Sequence, residues 1–174
     1  MKSNSMLLEE LYGRFGTMVY NLALNYVQNV EDAEEITQDV FLAVFDNLTT
    51  FQAQSSHKTW IYRITINKSL DFIKYKNSKK RGFVFGTKID SEAVFPRISD
   101  FNHPGVILEN EESLKQLFAF INALPENQKT AHLLSKLDGL SNPEIAAVME
   151  TTVSAIESLL FRAKATLKQK IENK

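Results

Sequence analysis

Apolar residues recur every three or four positions over most of the chain, which is the spacing of amphipathic α-helices. In the first part of the chain this pattern predicts two helices. Asp32 and Glu35 have the spacing of a capping box, so we expect the second helix to begin at Asp32. The apolar positions are Leu7, Leu8, Leu11, Tyr12, Phe15, Val19, Leu22 and Tyr26 in the first helix, and Ile36, Val40, Phe41, Val44, Phe45 and Leu48 in the second.

A third helix is predicted from about Lys58 to Lys76, after a polar stretch without periodicity. It ends within a run of basic residues. From 83 to 107, glycine and proline interrupt any regular pattern, and we interpret these residues as a linker. The residues expected to face inward in the third helix are Trp60, Ile61, Ile64, Leu70 and Ile73, with Ile66 or Phe72.

The last part of the chain predicts four helices, the last two of them separated by a short turn. Ser141 and Glu144 predict a capping box at the start of the third, and Ser154 and Glu157 predict another at the start of the fourth. A compact helix followed closely by a longer one is typical of a helix-turn-helix, although a generic helical hairpin has the same features. The expected inward residues are Leu114, Leu117, Phe118, Ile121 and Leu124, then Ala131, Leu133, Leu134 and Leu137, and finally Val153, Ile156, Leu159, Leu160, Ala163 and Leu167.

The composition fits two small cores, because 174 residues with 44% apolar content can fill one large or two small domains. We predict an all-α protein with helical domains at 1–82 and 108–174, joined by the linker 83–107. The chain has no cysteine for a disulfide or a thiolate zinc site, and its three histidines are scattered. No catalytic constellation and no glycine-rich phosphate loop is recognisable, so we expect binding without a cofactor rather than catalysis. No signal peptide and no run of ~20 apolar residues is found, which predicts a cytoplasmic protein.

Charge is unevenly distributed although the net charge is only −1. Residues 1–57 carry eight acidic and two basic side chains, whereas residues 58–82 carry eight basic and one acidic. The acidic side of the second helix is either an ordinary solvated face or a docking surface for a basic partner. The basic end of the third helix either complements the helix dipole or, with its aromatic neighbours, binds single-stranded nucleic acid.

Three stretches resemble, in this order, the bacterial RNA polymerase sigma factors of the extracytoplasmic function (ECF) group. "DAEEITQDVFLAVFDNLTTF" resembles the conserved helix of region two, and "KTWIYRITINKSLDFIKYKNSKKR" resembles the helix that melts DNA and reads the minus-ten element. "LPENQKTAHLLSKLDGLSNPEIAAVMETTVSAIESLLFRAKATLKQKI" resembles the helix-turn-helix of region four. The resemblance covers nearly the whole chain. It implies a transcription initiation factor that binds core RNA polymerase and promoter DNA, and that is held inactive by an anti-sigma protein.

The resemblance also assigns roles to individual positions. Core polymerase would be bound by the second helix of region two, whose matching residues are Glu35, Gln38 and Asp39. The melted minus-ten strand would be held by a loop and the helix after it, whose matching residues are Phe51, Gln52, Lys58, Arg63, Asn67 and Lys68. The minus-thirty-five duplex would be contacted by the last helix, whose matching residues are Ser154, Glu157, Ser158 and Arg162.

The sequence departs from the pattern of sigma factors at two places. Primary sigma factors carry paired aromatics where this chain, like others of the ECF group, has Arg63 and Ile64, which implies melting of a narrower set of promoters. The last helix has Glu157 and Leu159 where basic residues are usual. Glu157 could accept a hydrogen bond from cytosine N4, or it could serve only in the capping box with Ser154.

Two other functions fit the helical pattern. A dimeric helix-turn-helix repressor would bind duplex DNA without polymerase, but it would leave the acidic side of the second helix without a role. A helical adaptor would bind no DNA, and its basic patches would be solvated faces.

Overall fold

The computed structural model describes residues 4–51, 55–83 and 111–172, and this part of the chain forms seven α-helices and no strand. The all-α prediction is confirmed. The described residues form two compact units. The helices are α1 Asn4–Val27, α2 Val30–Asn47, α3 His57–Phe83, α4 Glu111–Asn122, α5 Glu126–Lys136, α6 Asn142–Val148 and α7 Val153–Glu172.

The first unit contains α1, α2 and the part of α3 from Ile64 onward. Helices α1 and α2 pack closely along their lengths, and their shared core contains the fully buried Val19, Leu22, Val40 and Val44. These residues recur at the three-and-four spacing that the sequence predicts for the inner faces. The periodic pattern therefore places this core correctly.

A two-residue turn connects α1 to α2. Gln28 has a φ of 51°, and the extended Asn29 is the N-cap, its Oδ1 accepting from the N–H of Asp32 at 2.8 Å. The predicted capping box of Asp32 and Glu35 is wrong, because Asn29 lies three residues earlier and satisfies the first free N–H groups of the helix. The carboxylate of Asp32 forms an ion pair with Lys76 of α3 instead.

Two aromatic residues of this unit lie further out than the pattern predicts. Phe45 is 42% exposed, so its assignment to the buried face of α2 is wrong. Tyr12 is also exposed, and its ring packs edge-on against Phe41 with 4.8 Å between the ring centroids. Both residues lie beside the inner face of their helix, where a large ring remains partly in solvent.

Helix α3 is longer than predicted and its inner face is less apolar. It continues to Phe83 rather than ending at Lys76. Of the residues predicted to face inward, Ile61 and Ile66 are buried, whereas Trp60, Ile64, Leu70, Phe72 and Ile73 are partly exposed. The other buried residues in the described part of α3 are Tyr62, Thr65 and Ser69, and the Ser69 hydroxyl donates to the Thr65 carbonyl at 2.8 Å.

The second unit contains the start of α3, through Arg63, and helices α4 to α7. Its core is formed mainly by α5, α6 and α7, and the fully buried residues at its centre include Leu133, Leu134, Ile145 and Ile156. Leu117 and Leu137, predicted inward, are 40% and 48% exposed. For Leu137 the reason is local: it is the C-cap of α5, where the helical pattern ends.

Two capping boxes are predicted in the second unit, and the structure contains one of them. The capping box of Ser141 and Glu144 is confirmed: the Ser141 N–H donates to Glu144 Oε2 at 2.8 Å, and Pro143 lies in the first turn of α6. The capping box of Ser154 and Glu157 is wrong. Thr152 precedes α7, and its Oγ1 accepts from the N–H of Ala155 at 3.2 Å, so the start of the helix is satisfied before Ser154.

Candidate functional site

The outer side of α2 presents all three residues predicted to bind polymerase. Glu35, Gln38 and Asp39 are exposed, while Ile36 and Val40 between them are buried. The three-and-four spacing places the first three on one side of the helix. The structure therefore brings together two carboxylates and one amide, all accessible to a partner.

An exposed leucine continues this acidic side. Leu42 is 62% exposed and lies three residues after Asp39 and four after Gln38. Leu42 is not among the residues predicted from the sequence, because neither the apolar stripe nor the charge pattern includes it. Its exposure could have been predicted from the sequence, because Leu42 falls outside the three-and-four spacing of the buried residues. We call Glu35, Gln38, Asp39 and Leu42 the α2 surface.

The residues predicted to bind the minus-ten strand are only partly brought together. Arg63 and Asn67 are four apart on α3 and share a side of the helix, whereas Lys58 and Lys68 point in other directions. Asn67 and Lys58 are exposed, and Phe51 is partly buried. Gln52 lies outside the described residues.

Arg63 is held within the second unit by three acceptors near the end of α6. Its Nη2 donates to the Ala147 carbonyl at 2.6 Å and its Nε to the Val148 carbonyl at 3.3 Å. Its Nη1 lies 2.9 Å from Glu150 Oε1. A cation beside the last carbonyls of a helix is favoured by the helix dipole. The guanidinium thus acts as a cap for α6.

The same side of α6 receives the first turns of α3. Lys58 Nζ lies 3.9 Å from Glu144 Oε1 and 5.9 Å from the centre of the Tyr62 ring. Burial raises the pKa of Asp138 to about 6, and the nearby Lys58 ammonium partly opposes that rise. The pKa of Tyr62 is also raised, first by burial and then by the negative charges of Asp138 and Glu144.

Helix α7 brings together all four residues predicted to bind the minus-thirty-five duplex. Ser154, Glu157, Ser158 and Arg162 are exposed and recur at three-and-four spacing on one side. The Ser158 hydroxyl donates to the Ser154 carbonyl at 3.0 Å, and Arg162 Nε donates to the Ser158 carbonyl at 3.2 Å. The helix start is capped by Thr152, so the cap does not require the carboxylate of Glu157.

Phe161 lies on this side of α7 and was also missed. It is 75% exposed, three residues after Ser158. The buried residues Ile156, Ala163 and Leu167 define the opposite side of the helix. The signal in the sequence was that Phe161 falls outside the apolar stripe. We call Ser154, Glu157, Ser158, Phe161 and Arg162 the α7 surface.

Among residues 4–51, 55–83 and 111–172, no cluster of three His, Cys, Asp or Glu side chains could hold a metal ion. Within the same residues, no helix is long and apolar enough to cross a membrane. The residues predicted to be functional that the structure exposes lie on the helix faces described above. Together they define the class: an all-α protein with an acidic helix face in one unit and a helix-turn-helix in the other.

Comparison with known proteins identifies both parts. The family model of sigma-70 region 2 matches residues 11–79, and that of sigma-70 region 4 matches residues 114–167. The ECF RNA polymerase sigma-E factor of Escherichia coli strain K12 is 27% identical over 172 residues, covering 98% of this chain and 90% of that protein. Its counterpart from Haemophilus influenzae is 27% identical over 163 residues, covering 93% and 86%.

Two solved structures show a similar fold. CnrH, in complex with the cytosolic domain of CnrY, has a TM-score of 0.70 at 20% identity, covering 98% of this chain and 91% of that one. The sigma factor RpoE of Bartonella quintana, in complex with the anti-sigma factor NepR, has a TM-score of 0.67 at 20% identity, covering 94% and 96%. The chain belongs to the sigma-70 family and is an ECF sigma factor.

Proposed function

We propose that this ECF sigma factor binds core RNA polymerase through the α2 surface and promoter DNA through α3 and the α7 surface. As a member of its family, the chain is a transcription initiation factor that directs polymerase to promoters. The observation that carries the proposed division of roles is the exposure of Glu35, Gln38 and Asp39 on one side of α2. The remaining assignments build on it.

The α2 surface has the composition of a protein-binding site. Two carboxylates would draw a basic partner into register, an effect that acts mainly on association rate and specificity. Leu42 would add an apolar contact beside them, as at the centre of most protein interfaces. The combination therefore favours docking over simple solvation.

We divide the chain into three parts. Residues 1–82 would bind polymerase and recognise the minus-ten element, residues 83–107 would form a linker, and residues 108–174 would recognise the minus-thirty-five element. The matched ranges 11–79 and 114–167 support this division. The α7 surface supports duplex reading, because its short hydroxyl side chains let a helix approach the bases while Arg162 supplies positive charge. Lys164 and Lys168, also exposed, lie where they could meet phosphates.

The minus-ten strand would be held by Phe51, Gln52, Lys58, Asn67 and Lys68. Arg63 would contact the strand in a second step. Asn67 and Lys58 are the exposed members of this set in the described chain. Arg63 would reach DNA only after leaving its acceptors on α6 and Glu150. Phosphate contacts and base pockets must offset the cost of unstacking, which is a few kcal/mol per flipped base.

We further propose that the protein acts by binding alone, in the cytoplasm, where polymerase and promoters lie. An anti-sigma protein would keep it from polymerase. The support is the sigma-factor fold that this chain shares with RpoE, whose solved structure contains an anti-sigma factor.

Charge reversal on α2 tests the proposal. The variant Glu35→Lys/Asp39→Lys should lose core polymerase affinity by more than about a hundredfold, because like charges would then face each other. The matched control is Glu9→Lys/Asp71→Lys, which reverses two exposed carboxylates elsewhere in the same unit. Binding is measured by co-purification with core enzyme, and helicity by circular dichroism.

Transcription from a random promoter library completes the test. Complexes of the protein with core enzyme should initiate transcription from a subset of promoters that share two spaced elements. Equal core binding by the reversed variant and its control would refute the assignment of the α2 surface. Binding to duplex DNA without core enzyme would indicate a repressor instead, and binding to neither would indicate an adaptor.

A further inference from the structure

We propose that Asp138 is a pH-sensitive switch, whose protonated form favours packing of the first turns of α3 against α5 and α6 and so withholds Lys58 and Arg63 from the minus-ten strand. This inference rests on the proposed function, in which Lys58 and Arg63 bind that strand. It adds a means by which acid pH regulates the same site.

The first turns of α3 belong to the second unit and present to it two cations that are assigned to DNA. Arg63 Nη2 donates to the Ala147 carbonyl at 2.6 Å, and Lys58 Nζ lies 3.9 Å from Glu144 Oε1. Tyr62, which lies between the two cations in the chain, is buried. We call this packing of Lys58, Tyr62 and Arg63 the α3–α6 contact. Because DNA phosphates are bound by the same cationic groups, α6 and DNA compete for them.

Asp138 lies next to the α3–α6 contact, in the turn that follows α5. The pKa of Tyr62 is raised by burial and then by the negative charge of Asp138, so the two side chains lie close together. Oδ2 of Asp138 is buried and has no hydrogen-bond partner among the described residues. A buried carboxylate without a partner is costly, and the helix dipole also disfavours negative charge just after the C-cap of α5. The site therefore favours the neutral, protonated form.

The proton links Asp138 to the packing of α3. In the packed state, burial raises the pKa of Asp138 to about 6, and the ammonium of Lys58 partly opposes that rise. Unpacking α3 lets water reach the carboxylate and returns its pKa toward the usual value of about 4. Between about pH 4 and pH 6 the packed state therefore binds more protons than the unpacked one. The proton's contribution to packing is complete below about pH 4 and is lost as the pH rises through about 6.

The other ionisable groups near Asp138 do not produce the same pH dependence. Those on α3 are Lys58 and Tyr62, and lysine and tyrosine titrate in the alkaline range. On α6, hydrogen bonds with the N-cap residue lower the pKa of Glu144, so this group ionises before Asp138 as the pH rises. On α5, burial lowers the pKa of His132, and a lowered histidine pKa favours the folded state as the pH rises, which is the opposite direction.

Trp60 provides a direct measurement on the free protein. It is the only tryptophan of the chain and lies two residues before Tyr62 in the first turns of α3. Quenching of its fluorescence by acrylamide measures how accessible these turns are to solvent. From pH 5 to pH 7 the ratio of packed to unpacked molecules should fall by about tenfold, the value for a carboxyl group whose pKa drops from 6 to 4 on unpacking. Quenching should therefore increase over this range.

Two variants separate Asp138 from the rest of the protein. Asp138→Asn keeps a neutral side chain at every pH, so its quenching at pH 7 should equal that of the unaltered chain at pH 5 and should not change with pH. Asp71→Asn, at an exposed residue of α3 in the first unit, is the matched control and should keep the full pH dependence. The histidines titrate equally in all three proteins and cancel in the comparison. Circular dichroism at each pH checks that the helices remain intact.

The effect on DNA is measured at a single pH, which removes any pH dependence of polymerase itself. Complexes of each full-length variant with core polymerase are given the same promoter at pH 7, and unpaired thymines of the minus-ten element are detected with permanganate. Asp138→Asn should require up to about tenfold more protein than Asp71→Asn for the same melting, because a larger fraction of the variant is packed.

Three results would overturn the inference alone: quenching of Trp60 that does not change with pH, an equal change in Asp138→Asn, or equal melting by the two variants at pH 7. Failure of the unaltered chain to bind core enzyme or to melt any promoter would overturn the proposed function as well. The two kinds of failure are distinguishable, since the fluorescence measurement requires neither polymerase nor DNA.

Discussion

The guanidinium of Arg63 lies 2.9 Å from the carboxylate of Glu150, a residue whose backbone has a φ of 53°. A left-handed residue after a helix is usually glycine, because a side chain there is strained. Here the following N–H, of Thr151, donates to the Ala146 carbonyl at 3.0 Å, which closes the end of α6. The ion pair with Arg63 gives the glutamate side chain a role at this strained position.

Replacing Arg63 should destabilise the second unit. Arg63→Met removes the donors to the Ala147 and Val148 carbonyls, and we expect the free energy of unfolding to fall by about 1–3 kcal/mol. Glu150→Gly should cost less, since glycine relieves the left-handed backbone while the ion pair is lost. Urea unfolding followed by circular dichroism measures both. Lys74→Met, at an exposed site on α3, is the control, and an equal loss in that variant would contradict the capping role.

Leu42 should contribute to polymerase binding without contributing to the fold. Leu42→Ser is expected to lower the affinity for core polymerase by about tenfold, because it removes an apolar contact from the α2 surface. Thermal stability should remain unchanged, since the side chain is 62% exposed. Met6→Ser, at a residue that is 59% exposed on α1, is the control. If both variants bind core enzyme as the unaltered chain does, Leu42 lies outside the interface.

The start of α7 provides a direct comparison of two hydroxyl residues. Thr152→Ala should lower the free energy of unfolding by about 1 kcal/mol, because it removes the acceptor for the Ala155 N–H. Ser154→Ala should stay within about 0.5 kcal/mol, as expected of an exposed residue away from the cap. Thermal or urea unfolding of the two variants shows which of the two hydroxyl residues caps the helix. The opposite order would restore Ser154 as the N-cap.

Lys129 predicts a dependence of stability on alkaline pH. Burial lowers its pKa to about 8, an effect that the charge of Glu126 partly opposes, and its Nζ donates to Asn122 Oδ1 at 2.6 Å. Between this pKa and that of an ordinary lysine, the unfolded chain binds more protons than the folded one, so stability from this group rises with pH. The rise is at most about 3 kcal/mol, the equivalent of the shift in pKa.

The measurement compares the unaltered chain with Lys129→Met by urea unfolding at pH 7 and pH 10. The free energy of unfolding of the unaltered chain should rise relative to that of Lys129→Met when the pH is raised from 7 to 10. Other lysines and tyrosines titrate equally in both proteins, so they cancel in the comparison. A difference that does not change with pH would mean that the ammonium of Lys129 is as well solvated in the folded state as in the unfolded one.

Helix existence could be predicted from the sequence, but two of the three predicted capping boxes are wrong. The spacing of a hydroxyl or carboxylate residue followed three positions later by glutamate also occurs inside helices, as at Asp32 and Ser154. In both cases another acceptor, Asn29 or Thr152, lies earlier in the chain and caps the helix first. The prediction at Ser141 succeeded because the preceding turn fixes where the helix begins, with Gly139 at a φ of 67°.

The exposed faces of α2 and α7 could be predicted from the sequence, because they are formed by the residues that lie outside the apolar stripes. Two of their residues were missed for the same reason, since Leu42 and Phe161 are apolar and the stripes alone were read as core. The contacts of Arg63 have no local signal at all. Its acceptors on α6 lie 84 and 85 residues away in the chain, and nothing in a short window of sequence relates them.

Helix α6 has only seven residues, fewer than an isolated helix needs to be stable in water. Its two ends are fastened by groups outside its own ladder of hydrogen bonds, Glu144 with Ser141 at the start and Arg63 at the finish. Such a helix has little tendency to fray turn by turn, because Ile145, Ala146 and Val148 between its two ends are buried in the core of the unit. Its amide protons should therefore exchange with solvent together, at the rate of the cooperative opening that also exposes its neighbours α5 and α7.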